Sequence, residues 1–192
     1  MSFIDQFPIL MIEIPLVGAV LVHIIGYWRR KWCMAIAAVT LAITSVIGYC
    51  LLLAVNKSGP ISYHVGSWRP PWGIEIYFDH IAVFSFIIAL FGLLIVVFSK
   101  NYAEHELEEE RIPAFYTLVL LILTGMIGFT ITGDLFNLFV FMEVLSLSGY
   151  ALVAISGDRL AAMASFKYLL VGAISSLSIL LGIAYLYSVT GT

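Results

Sequence analysis

Apolar residues fill this chain in six long blocks separated by shorter polar stretches. Taking about 20 apolar residues as the length of one span, the blocks predict helices at about 7–27, 33–55, 80–99, 113–132, 135–156 and 161–187. Continuous runs of that length fit membrane-spanning helices, whose backbone polar groups are all bonded within the segment. The last run is longer than one span needs, so its start is expected to tilt or to lie at the interface. The expected fold is all-α, a polytopic membrane protein of about six transmembrane helices, with residues 1–192 forming a single transmembrane domain.

Composition agrees with the pattern. Of 192 residues, 62% are hydrophobic and only 11% charged, with a mean hydropathy of +1.07. Soluble domains average about a quarter charged residues, so an ordinary soluble domain is excluded. A net charge of −3 and a pI near 5.7 give no reason to expect nucleic acid. Cys33 and Cys50 lie 17 residues apart in one apolar block and cannot meet on a single helix, so they are read as small packing residues. The first block follows Asp5 rather than a basic region, and no small-residue cleavage site stands out. A retained first span, and a multi-pass protein of the cell membrane surrounded by lipid, are therefore expected.

Loop charges set the expected orientation. The first, third and fifth connections hold Arg29, Arg30, Lys31, Lys100, Arg111 and Arg159, whereas the second and fourth hold only Lys57 and Arg69. The positive-inside rule places the first group in the cytoplasm and both termini outside. The acidic run Glu104, Glu106, Glu108, Glu109 and Glu110 counts for little in that rule. It is read as a solvated charged loop, the alternative being a cation-concentrating vestibule. In the long second connection, 56–79, the cluster Trp68-Arg69-Pro70-Pro71-Trp72-Gly73 is expected to form a rigid turn with interfacial aromatics.

One residue carries most of the chemical interest. Glu143 sits in the middle of the fifth block, nine residues beyond Asp134, or about 14 Å into a core roughly 30 Å thick. A charge at that depth costs roughly 3 kcal/mol on insertion scales, and such residues usually face a bundle interior and mark a proton or ion path. Lys167 follows Arg159 by eight residues, about 12 Å in from the opposite face. A short turn joins the two blocks, so Glu143 and Lys167 are expected within about 6 Å of the same depth, in reach of an ion pair or a water-bridged couple. Desolvation favours a neutral carboxyl group and a nearby ammonium favours the charged one, so moving Lys167 to and from Glu143 would load and release a proton. The plainer readings are a structural hydrogen bond for Glu143 and a snorkelling side chain for Lys167.

Other polar positions look structural. Asp79 and Asp134 stand at helix starts, where a carboxylate caps free N–H groups. Glu13 lies close enough to an interface to stay solvated, and His23, His64, His80 and His105 are scattered without ligand spacing, so no metal site is assigned. Small residues at Gly172, Ser175, Ser176, Ser178 and Gly182, and at Ser146, Ser148 and Gly149, allow close helix approach. They imply neighbours beyond six helices, hence a larger complex.

The stretch Thr132-Gly133-Asp134-Leu135-Phe136-Asn137-Leu138-Phe139-Val140-Phe141-Met142-Glu143 resembles the signature of the antiporter-like membrane subunits found in Mrp-type Na⁺/H⁺ antiporters, membrane-bound hydrogenases and respiratory complex I. It looks closest to the D-type Mrp subunit. Supporting matches are Met126 and Gly128, Ser148-Gly149-Tyr150-Ala151-Leu152-Val153-Ala154, Phe166-Lys167-Tyr168, and the closing run Tyr187-Ser188-Val189-Thr190-Gly191-Thr192. The resemblance implies that Glu143 helps drive ion translocation, paired in the family with a lysine on a broken seventh helix, and that Lys167 matches a lysine common on the sixth. Family members usually have about fourteen helices built on two inverted five-helix repeats, and this sequence matches the first six.

Three functions follow as expectations. The chain is a subunit of a multisubunit membrane complex taking part in proton or Na⁺ translocation, its partners being other membrane subunits, antiporter-like ones among them. Alternatively it is a truncated structural subunit of a respiratory or hydrogenase-type complex that conducts nothing, or a small carrier acting as a homo-oligomer. No catalytic triad, phosphate loop or cofactor motif is present, so no cofactor is expected, and any enzyme activity belongs to a parent hydrogenase or dehydrogenase.

Overall fold

The computed structural model describes residues 6–68 and 72–190. All six apolar blocks are helical: α1 (Phe7–Trp28), α2 (Cys33–Ser58), α3 (Val83–Glu106), α4 (Ile112–Ile131), α5 (Leu135–Val153) and α6 (Arg159–Thr190). Each, with its flanking 3₁₀ turn where there is one, is long and apolar enough to cross a membrane. The chain is a multi-pass membrane protein. Helix α6 has 32 residues, about 48 Å at 1.5 Å per residue, which exceeds a core of about 30 Å. Helix α3 extends past its apolar block through the polar 100–106 stretch.

The second connection holds an element that block-reading did not expect. Strands β1 (Ile61–His64) and β2 (Glu75–Phe78) form an antiparallel hairpin, with Ile61 opposite Phe78 and His64 opposite Glu75. Its two strands are four residues each, too short to register against the neighbouring apolar runs. Ile76 and Phe78 are nevertheless fully buried, and they seal the ends of α1, α2 and α4 in one cluster. This end of the bundle, where the α4–α5 connection also lies, is the hairpin end; the α1–α2, α3–α4 and α5–α6 connections form the turn end. Of the expected Trp68–Gly73 turn, Arg69, Pro70 and Pro71 lie outside the described residues, as do Gly191 and Thr192 of the closing run.

Helices α1 to α4 pack into a bundle with two buried clusters, one at the turn end around Val22, Leu41, Val96 and Leu120 and one at the hairpin end around Met11, Leu51 and Ile127. Helix α5 packs on α4, and α6 packs chiefly on α5. No residue of α6 is buried. Cys33 is buried in the turn-end cluster and fits the packing role, whereas Cys50 is exposed. At the turn end Arg30 pairs with Glu109 at 2.6 Å, Arg111 with Glu108 at 2.8 Å, and Lys100 with Glu104 at 4.0 Å. Three of the five run carboxylates therefore have cationic partners, and all five are exposed as the solvated reading expects, although Glu104 and Glu106 lie in α3 rather than in a loop.

In the half of the molecule that carries Glu143, α4 and α5 approach closely through glycine. A Cβ on Gly125 would lie 2.9 Å from the Phe141 carbonyl oxygen and the Leu145 amide nitrogen, so the two backbones touch there. Over-packing a site of this kind costs about 1–3 kcal/mol. Gly125→Val is expected to push α5 off α4 and lower the melting temperature of the purified protein, whereas a similar change at the open Gly149 position leaves it nearly unchanged.

Candidate functional site

The start of α5 is fixed by a compact set of polar contacts at the hairpin end. Asp134 has extended backbone angles and its Oδ1 accepts the Asn137 N–H at 2.6 Å, an N-cap as expected. The Asn137 side-chain amide donates to Thr132 Oγ1 at 2.9 Å. One residue on, Gly133 N–H donates to the Glu75 carbonyl at 2.9 Å, and Thr132 bridges to Ile76. The hairpin thus anchors the α4–α5 connection. Asp79 accepts the Ile81 and Ala82 N–H groups at 2.9 and 3.1 Å, so it caps the turn that leads into α3 rather than α3 itself.

From that anchored start, Glu143 projects from the middle of α5. Phe141 and Leu145 meet Gly125 of α4, and Glu143 lies two residues from each, about 200° round the helix. It shares its face with Tyr150, seven residues on, which meets α6: the Tyr150 carbonyl accepts from Ser165 Oγ at 2.6 Å, and its ring stacks edge-on against Tyr168 at 4.7 Å. Glu143 is therefore on the side of α5 turned to α6. The residue is half-buried, and its Oε1 is the one fully buried side-chain N or O atom among the described residues with no hydrogen-bond partner. An unsatisfied buried acceptor costs roughly 1–3 kcal/mol, a cost the rest of the fold offsets.

The register of α5 and α6 decides the fate of the expected Glu143–Lys167 pair. Ser165 lies level with Tyr150; seven residues back along α5, Glu143 comes level with about residue 172, five residues past Lys167, or roughly 8 Å along the axis. Lys167 also follows Ser165 by two residues, which turns it to the face of α6 opposite α5. It is exposed, and neither it nor Glu143 joins an ion pair among the described residues. The direct ion pair is not made, because the α5–α6 register offsets the two residues along the axis and the helical repeat turns Lys167 away from α5. In place of Lys167, α6 turns Gly172, Ala173 and Ser176 toward α5 at this level, all small and half-buried.

Tyr150 is the site residue that charge-based reasoning passed over. Its hydroxyl lies against Gly172, where a Cβ would collide with it, so the ring reaches from its own level toward that of Glu143. The seven-residue spacing from Glu143 was the available signal, since it puts both on one helix face. Of the other polar candidates, Glu13 is exposed in an apolar groove between α1 and α2, and Ser175, Ser178 and Gly182 face outward on α6.

Comparison with known proteins places this geometry. The family described as NADH:quinone oxidoreductase/Mrp antiporter, transmembrane, matches residues 132–192, which contain α5, α6 and the anchor before them. The N-type subunit of the NADH-quinone oxidoreductase of Desulforudis audaxviator is 38% identical over 190 residues, covering 96% of this chain and 37% of that protein. The D-type subunit of the Na(+)/H(+) antiporter of Bacillus subtilis is 33% identical over 190 residues, covering 98% of this chain and 38% of that one. A chain of the membrane-bound sulfane sulfur reductase, an archaeal respiratory membrane complex, superposes with a TM-score of 0.88 at 34% identity, over 97% of this chain and 38% of its own. The chain thus spans little more than a third of each of these three proteins.

The α5–α6 register makes a direct prediction. Gly172→Ala is expected to displace the Tyr150 ring, loosen α6 and lower the melting temperature, while Gly182→Ala, with open space around it, has no such effect. Equal stability of the two variants would refute the register.

Proposed function

This chain belongs to the antiporter-like membrane subunit family shared by NADH:quinone oxidoreductases and Mrp antiporters, and from that premise we propose that it takes part in proton or Na⁺ translocation within a multisubunit complex of the cell membrane. The observation that carries the proposal is the buried Oε1 of Glu143, without a hydrogen-bond partner among the described residues, on the α6-facing side of α5. A buried carboxylate oxygen with no partner of its own is open to a proton, a cation or water. Glu143 is assigned the ion-exchanging role. Tyr150 supplies a hydroxyl on the same face, and the α6 residues at this level, Gly172, Ala173 and Ser176, are small.

Lys167 has a different part in this reading. Facing away from α5, it reaches Glu143 only if α6 rolls about its axis, and otherwise it meets a group on a neighbouring helix. That no residue of α6 is buried supports other membrane subunits as the partners, and residues 1–192 act as one transmembrane unit with the Arg29–Lys31 connection on the cytoplasmic side. The competing reading, a structural subunit that conducts nothing, draws on the absence of the Glu143–Lys167 contact.

One substitution separates the two. Glu143→Gln keeps size and removes the ionisable proton, so it is expected to leave assembly of the complex intact and to reduce ion-coupled activity in everted vesicles to the level of membranes lacking the chain. Unchanged coupling with normal assembly would favour the structural reading.

A further inference from the structure

A second polar region, remote from Glu143, has the form of a lipid site. At the turn end an open cavity of about 960 Å³ lies between the α1–α2 turn and the ends of α3 and α4. Four cations line it, Arg29, Arg30, Lys31 and Lys100, against two carboxylates, Glu104 and Glu109. Both carboxylates are engaged, Glu109 by Arg30 and Glu104 by Lys100. Arg29 and Lys31 are left exposed, and their side chains have no hydrogen-bond or ion-pair partner among the described residues. Two uncompensated cations at a helix end attract a phosphate group.

The surroundings specify what carries that phosphate. Tyr27, Trp28 and Trp32 are 82%, 79% and 56% exposed and line the same cavity, the placement aromatic rings take at the level of lipid headgroups. Trp32 also lines a second cavity, an apolar groove of about 490 Å³ that runs between α1 and α2 past Leu21, Ile36, Val39 and Ile43. A cationic chamber and a lengthwise apolar groove that share Trp32 as a wall accommodate a charged head and a hydrocarbon tail in one ligand. A soluble anion would use the first and leave the second empty.

We propose that the cavity between the α1–α2 turn and the ends of α3 and α4 holds the headgroup of an anionic phospholipid, bound by Arg29 and Lys31, with an acyl chain lying in the α1–α2 groove. The occupant ties the first helix pair to the leaflet on that side, and it acts independently of ion exchange at Glu143.

The chain supplies its own reporters. Of its four tryptophans, two line the proposed site, and Trp68→Phe with Trp72→Phe leaves only Trp28 and Trp32. The full chain in this background is placed in phosphatidylcholine nanodiscs containing a minor fraction of brominated phosphatidylglycerol or, in parallel, brominated phosphatidylcholine. The anionic lipid is expected to quench the remaining fluorescence with about thirtyfold greater apparent affinity, the combined effect of two basic residues near an anionic surface at roughly fivefold each. Arg29→Gln with Lys31→Gln is expected to abolish the difference. Equal quenching by the two lipids, or a preference that survives the double substitution, overturns the proposal. So does a preference lost on adding inorganic phosphate alone at moderate ionic strength, which would assign the cavity to a free anion.

Discussion

Where α4 and α5 cross at Gly125, the backbones of two helices come into contact, and the aim of Glu143 depends on that crossing. With Phe141 and Leu145 committed to α4, the helical repeat leaves Glu143 and Tyr150 no direction but toward α6. In a bilayer, helices gain little from burying apolar surface against each other, so close backbone approach through small residues is what fixes their rotation. The anchor at the hairpin end complements it. Asp134 caps α5 and the Gly133–Glu75 backbone bond holds the α4–α5 connection, which sets the axial position of Glu143 as the Gly125 contact sets its rotation.

That division explains which features were legible in the amino-acid sequence. The six spans were, because a bilayer demands a run of apolar residues of known length and the chain meets that demand openly. Helix ends moved only by a few residues at most positions: the fifth block, expected to reach 156, ends at Val153, where the chain turns through Gly157. The larger departures came where polar residues prolong a helix beyond the hydrocarbon, as at 100–106 in α3. The hairpin was illegible for the opposite reason. Its strands are short, their inward residues Ile76 and Phe78 alternate with outward ones over a few positions only, and they bury against helix ends that lie far away in sequence.

The site shows the same contrast between depth and direction. Depth follows from counting residues along a helix, so Glu143 could be placed mid-span from sequence alone. Direction about the axis depends on which neighbour each helix meets. The Glu143–Lys167 ion pair is absent on both counts: the register sets the two about five residues apart, and Ser165, two residues from Lys167, is the residue that faces α5. Tyr150 was overlooked because it is uncharged, yet the same count that places Glu143 opposite α6 places Tyr150 there as well.

The central claim is that the Glu143 carboxyl group changes protonation inside the membrane. Infrared difference spectroscopy on the reconstituted complex, with the pH stepped across the titration range and Glu143→Gln as the reference, addresses that group directly. A protonated-carboxyl band that rises and falls with pH, shifts on exchange into D₂O and is missing from the variant is the predicted result. A wild-type spectrum in that region indistinguishable from the variant's at every pH would contradict it.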